Sequence, residues 1–156
     1  MTIAIKIAPV RKSVRVKASQ SQAFEVFTSG LGRWWPRDKG IGQLPMKAAV
    51  METRLGGRWY ELAEDGTQTN IGKIIVWEPP QRFVVTWEIN SQWKPDTTAS
   101  SEVEVQFIPD GANATRVELE HRKFEQLGAG GESVRTAVDG GWPTMLQRFK
   151  NEADAS

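Results

Sequence analysis

Residues 133–152 read SVRTAVDGGWPTMLQRFKNE. Val134, Ala137, Val138, Trp142, Met145, Leu146 and Phe149 recur at steps of three and four, which places them on one face of an α-helix. Arg135, Asp139, Gln147, Arg148 and Lys150 take the other face. No other stretch offers an amphipathic helix of this length, and residues 10–122 read mainly as short strands. The helix is therefore the object around which a sheet wraps. Gly140 and Gly141 each cost about 1 kcal/mol relative to alanine inside a helix. Pro143 has no N–H for the carbonyl of Asp139. Two arrangements satisfy these residues. One is a single helix interrupted or bent within 139–143, with glycines clearing space for a strand or a ligand. The other is a pair of helices with Pro143 at the first position of the second.

Working back from the helix, residues 10–17 alternate, with Val14 and Val16 on one face and Arg15 and Lys17 on the other, as in a half-buried strand. The basic face is either solvated or a nucleic-acid patch. The overall charge of +1 gives no electrostatic case for nucleic acid or an anionic membrane. Ser19, three residues before Gln22, reads as a helix cap. Ala23, Phe24 and Phe27 share the face of a short helix ended by Gly30, and residues 31–35 make a second, stopped by Pro36. Residues 37–45 have no period and read as a mobile loop. Strands follow at 48–54, 58–63, 68–77, 82–89, 101–108 and 115–122, with turns at Gly56-Gly57, 64–67, Pro79-Pro80 and 109–111. Gly72 inside the third of these predicts a bulge or bend. Strict alternation places Val103, Val105, Phe107, Val117, Leu119 and His121 inward, and Glu102, Glu104, Glu118 and Glu120 outward. Residues 128–131 read as a hinge-like loop. Short turns between successive strands imply an antiparallel sheet. The expected architecture is α+β: a curved antiparallel sheet wrapped around the C-terminal helix, with two short helices after the first strand.

The 156 residues fit one domain, 1–156, with a core from about residue 10 to 152. The chain has no cysteine, which excludes disulfides and thiolate chemistry. No apolar run suits a signal peptide or a membrane span, so the expected location is cytoplasmic. A single histidine cannot build a multi-histidine metal site, and there is no nucleotide-binding glycine motif or serine elbow. No metal and no cofactor are expected.

Two residues stand out chemically. His121 shares a strand face with Val117 and Leu119, so it is either an acid–base group or polar anchor, or a satisfied histidine at the end of a strand. Glu61 faces inward if Trp59 does, and then needs a partner for its buried carboxylate. The alternative puts Tyr60 and Leu62 inside and Glu61 in water. Arg54 and Arg58 flank the Gly56-Gly57 turn, either solvated or holding an anionic ligand group. Seven tryptophans in one small chain fill a large core or line a cavity.

Several pieces carry a family resemblance: Ala23-Phe24-Glu25-Val26-Phe27, Trp34-Trp35-Pro36, Gly56-Gly57-Arg58-Trp59, Asp65-Gly66 and Gly72-Lys73-Ile74. Trp77-Glu78-Pro79-Pro80, Thr86-Trp87, Leu119-Glu120-His121 and Gly141-Trp142 complete the set. The chain resembles the START and birch-pollen-allergen superfamily, also called SRPBCC, and within it the branch named after the C-terminal domain of the 90-kDa heat-shock-protein ATPase activator. The resemblance implies the helix-grip fold. It also implies a role among carriers, cyclases or hydrolases of apolar small molecules. The leading expectation is an intracellular binding protein for an aromatic or acyl molecule, monomeric or homodimeric, without membrane insertion. An enzyme using His121 and Glu61, and a chaperone-interacting protein, are the alternatives. The expected site is an apolar cavity between sheet and helix walled by Trp59, Trp87, Trp142 and Met145, with His121 or Glu61 as its polar point.

Overall fold

The computed structural model describes residues 6–37, 41–42 and 44–156. Residues 38–40 and 43, part of the loop read as mobile, lie outside the described residues. The elements run β1 (Val10–Val16), α1 (Gln20–Phe27), α2 (Leu31–Trp34), β2 (Met46–Met51), β3 (Arg58–Ala63), β4 (Gln68–Glu78), β5 (Arg82–Trp87), β6 (Ser101–Pro109), β7 (Thr115–Arg122) and α3 (Gly131–Asp154). The seven strands form one antiparallel sheet in the order β1-β7-β6-β5-β4-β3-β2. The sheet curls into a half-barrel gripping α3, the α+β helix-grip architecture. No helix among the described residues is long and apolar enough to cross a membrane.

Alternation sets the register as read. Val103 pairs with His121, Val105 with Leu119 and Phe107 with Val117, and all six side chains are buried. Their neighbours Glu102, Glu104 and Glu120 are half-buried on the opposite face, where Arg122 bonds Glu104 at 2.6 Å and reaches Glu102 and Glu120. The basic residues of β1 are neutralised rather than gathered into a patch: Arg11 meets Glu120, Lys12 meets Asp139 and Arg15 meets Asp110. Ser19 caps α1 through Gln22 N–H, which donates to its hydroxyl at 3.3 Å.

Gly72 marks a close approach. The β3–β4 register shifts beside it, and a Cβ there would lie 1.9 Å from the carbonyl oxygen of Thr86. No side chain fits at this crossing.

Two expectations are corrected. Residues 128–131 are not a free loop: Phe124–Gly130 forms 3-10 turns broken only at Gly128, and α3 already starts at Gly131. A Cβ on Gly131 would meet the Phe124 carbonyl at 2.3 Å, so glycine permits the helix to begin against that turn. Nor is the final segment interrupted or divided into two helices. α3 continues through Gly140, Gly141 and Pro143. Pro143 lies on the exposed side, where a missing backbone bond costs least. On the other side Val134, Val138, Trp142, Leu146, Phe149 and Ala153 are buried and hold both halves in place.

Candidate ligand-binding site

His121 points from β7 toward α3 and is fully buried. The indole N–H of Trp142 on α3 donates to its Nδ1 at 3.1 Å. An indole nitrogen only donates, so Nδ1 is the acceptor and the imidazole proton sits on Nε2. Nε2–H then donates to Ser101 Oγ at 2.8 Å, and that hydroxyl donates to the Trp87 carbonyl at 3.3 Å. Burial pushes the His121 pKa down to about 3, so the ring is neutral near pH 7. Phe124 packs on it with centroids 4.6 Å apart. Both nitrogens are engaged, as in a satisfied core histidine, and the imidazole locks α3 to the sheet.

The concave face is filled by interleaved aromatic rings. Trp35, Trp59, Trp87 and Trp142 form successive tilted and edge-to-face pairs with centroids 5.5, 5.6 and 5.9 Å apart. The apolar cavity expected between sheet and helix is reduced to a cleft of about 60 Å³, walled by Trp87, Trp93, Ala137, Val138, Gly141, Trp142 and Met145. The rings occupy the volume that the curved sheet encloses. Trp87, Trp142 and Met145 line this cleft, whereas His121 lies behind Trp87 and Trp142 and Trp59 is in the packed core beyond. Gly141 contributes an empty spot: a Cβ there would meet nothing within 4 Å, and the same holds for exposed Gly140.

Glu61 faces inward with Trp59, yet away from the cleft. Its Oε2 accepts from Trp35 Nε1–H and Ile41 N–H, both at 2.9 Å, and its Oε1 accepts from Gly42 N–H at 2.8 Å. The carboxylate ties the loop after α2 to the sheet. Arg54 is exposed and Arg58 half-buried; both approach Glu52, and Arg58 also covers the Tyr60 ring at 4.5 Å.

The wall residue that sequence reasoning missed is Trp93. It sits in the loop between β5 and β6, half-buried, at φ 62°, a conformation rare for a bulky residue and costing about 1–3 kcal/mol. Asn90 shapes this turn: its carbonyl accepts from Trp93 N–H, and its side-chain oxygen accepts from Gln92 and Lys94 N–H. An Asn followed by a Trp-Lys-Pro stretch is a turn signal, but nothing in it points toward α3. Ser101 was also missed, although the β6 alternation that puts Val103 inward puts Ser101 inward too.

The family model described as Activator of Hsp90 ATPase homolog 1-like protein matches residues 17–154. Among solved structures, Txn09, an anthrahydroquino-γ-pyrone synthase complexed with SUM, is 42% identical over 94% of this chain and 97% of its own, with a TM-score of 0.66. CalC from Micromonospora echinospora, a self-sacrificing resistance protein, is 34% identical over 94% of each chain, with a TM-score of 0.69. MLL2253 from Mesorhizobium loti is 14% identical over 96% of this chain and 98% of its own, with a TM-score of 0.70, a likeness of fold alone. No curated protein matches the chain.

Proposed function

Since the chain belongs to the Activator of Hsp90 ATPase homolog 1-like protein family, we propose that it is a single-domain intracellular binding protein for an apolar aromatic molecule, taken at the cleft beside Trp87 and Trp142. The observation that carries this reading is the composition of the cleft. Three indoles, a methionine and the bare backbone of Gly141 form its wall, and flat apolar surfaces of this kind suit fused rings. The 42% identical relative is a synthase of a fused-ring product, which supports the same class of ligand.

The cleft is well below the roughly 300–1,000 Å³ of a ligand pocket, so entry requires a wall to move. Trp93 is that wall, because it alone is carried by a loop. The other walls belong to β5 and α3.

Gly141→Leu tests the reading. A Cβ at this position meets nothing within 4 Å, so the backbone accepts a side chain there, and the helix gains about 0.5–1 kcal/mol from losing a glycine. Binding of anthraquinone-2-sulfonate, followed by saturable tryptophan quenching, falls by about tenfold or more because the cleft is filled. Unchanged binding in a folded Gly141→Leu protein would remove the ligand from this cleft.

Catalysis is the second reading, favoured by the synthase relative. Acid–base work at His121 requires Trp142 or Ser101 to release a ring nitrogen. Turnover abolished in His121→Gln with binding retained would support it.

A further inference from the structure

The buried tryptophans are not equivalent. Trp34 Nε1–H donates to the Val26 carbonyl at 3.0 Å, Trp35 to Glu61 at 2.9 Å, Trp59 to the Thr86 carbonyl at 3.1 Å and Trp142 to His121 at 3.1 Å. Trp87 is equally buried, at 2% exposure, but its Nε1–H has no acceptor among the described residues. A buried donor without a partner costs about 1–3 kcal/mol. The one indole left in this state is also a wall of the cleft.

The surroundings offer it no relief. Both nitrogens of His121 are spent on Trp142 and Ser101, and the Ser101 hydroxyl is spent on the Trp87 carbonyl. The remaining side chains of the wall, Ala137, Val138 and Met145, bring no oxygen or nitrogen. No described residue supplies an acceptor for Trp87, and a bound molecule can supply one. A water would find little else to bond in an apolar cleft, where an ordered water normally needs two to four polar partners. A single acceptor oxygen on a flat apolar body fits better.

We propose that the cleft selects ring systems bearing a carbonyl oxygen, such as a quinone or pyrone, and that this oxygen accepts a hydrogen bond from the Trp87 indole N–H. The proposal rests on reading the cleft as a ligand site. It adds the specificity-determining atom. Stacking on Trp93 and Trp142 supplies affinity for any flat ring, and the Trp87 donor discriminates among them, since an oxygen-free ring leaves the donor buried and unpaired.

A matched pair of probes tests this. Anthraquinone-2-sulfonate and anthracene-2-sulfonate share size, charge and shape but differ in the two ring oxygens. Isothermal titration of the full chain is expected to give about a tenfold preference for the quinone, the worth of one satisfied buried donor. Trp87→Phe keeps an aromatic ring and removes the N–H, so the ratio of the two affinities falls to near unity. A second readout uses the unmutated protein labelled with ¹⁵N. The Trp87 indole resonance moves downfield with the quinone and not with the hydrocarbon. Equal wild-type affinity for both probes, or a preference that survives in Trp87→Phe, would overturn the proposal alone. Absence of saturable binding for either probe would overturn the binding reading and the proposal together.

Discussion

Replacing Glu61 by alanine is expected to lower the unfolding free energy by about 4 kcal/mol, within the range for removing a buried charged partner. The carboxylate is 3% exposed and accepts three N–H groups, from Trp35, Ile41 and Gly42. Alanine leaves all three donors without it, and opens a void beneath Trp35. Trp35 packs against Trp59, so the damage enters the aromatic core. Glu61→Gln retains one oxygen as acceptor and turns an amide N–H₂ toward the remaining donor, so it is expected to cost about half as much. Urea unfolding measures both. Amide exchange at Ile41 and Gly42 adds a local readout, since these protons lose protection in Glu61→Ala before global unfolding. A loss under about 1 kcal/mol with both amides still protected would show that the loop is held by something other than this carboxylate.

Glu61 also marks where sequence reading stops. The alternation of β3 offered two choices, Trp59 and Glu61 inward or Tyr60 and Leu62 inward, and the pattern alone could not choose. The choice is made by donors from a loop without period, at Ile41 and Gly42, and by Trp35, none of which is linked to Glu61 by any local rule. The sheet was legible because period-two alternation repeats over β6 and β7 and fixes which face Val103, Val105, Val117 and Leu119 take. α3 was legible from its apolar spacing, but its continuity was not. Local rules for Gly140, Gly141 and Pro143 argue for an interruption, and the burial of Val138, Trp142 and Leu146 on either side outweighs them. The cleft was the least legible part. Its Trp87, Trp142 and Met145 walls lie on regular elements and could be placed, whereas Trp93 depends on a turn conformation. Its volume depends on how six indoles interlock, which no pattern encodes.

The second large effect is a loss of stability in mild acid that passes through His121. Its ordinary pKa of 6.5 applies in the unfolded chain, and burial pushes it down to about 3 in the folded protein. Between these values the unfolded chain binds the extra proton, so the stabilisation is complete above pH 6.5 and is lost as pH falls toward 3. The linkage amounts to about 2 kcal/mol between pH 7 and pH 5, approaching about 1.4 kcal/mol for each further unit. Protonation would also set an N–H on Nδ1 against the Trp142 donor, loosening α3 from β7. His121→Gln isolates this contribution. Its amide oxygen accepts from Trp142 and its N–H₂ donates to Ser101, without a charge to titrate. Denaturant midpoints at pH 7 and pH 5 are expected to fall further in the wild type than in His121→Gln by that 2 kcal/mol equivalent. Parallel losses in the two proteins would place the acid sensitivity in the carboxylates instead.

Binding as proposed requires the small cleft between β5 and α3 to open around an aromatic ring system. A crystal structure of the protein grown with saturating anthraquinone-2-sulfonate measures this most directly. The rings are expected against Trp87, Gly141, Trp142 and Met145, with a ring oxygen within hydrogen-bond distance of Trp87 Nε1 and Trp93 swung outward with its loop. Rings bound on the charged outer face of the sheet, with Trp93 still closing the cleft as it does now, would contradict it.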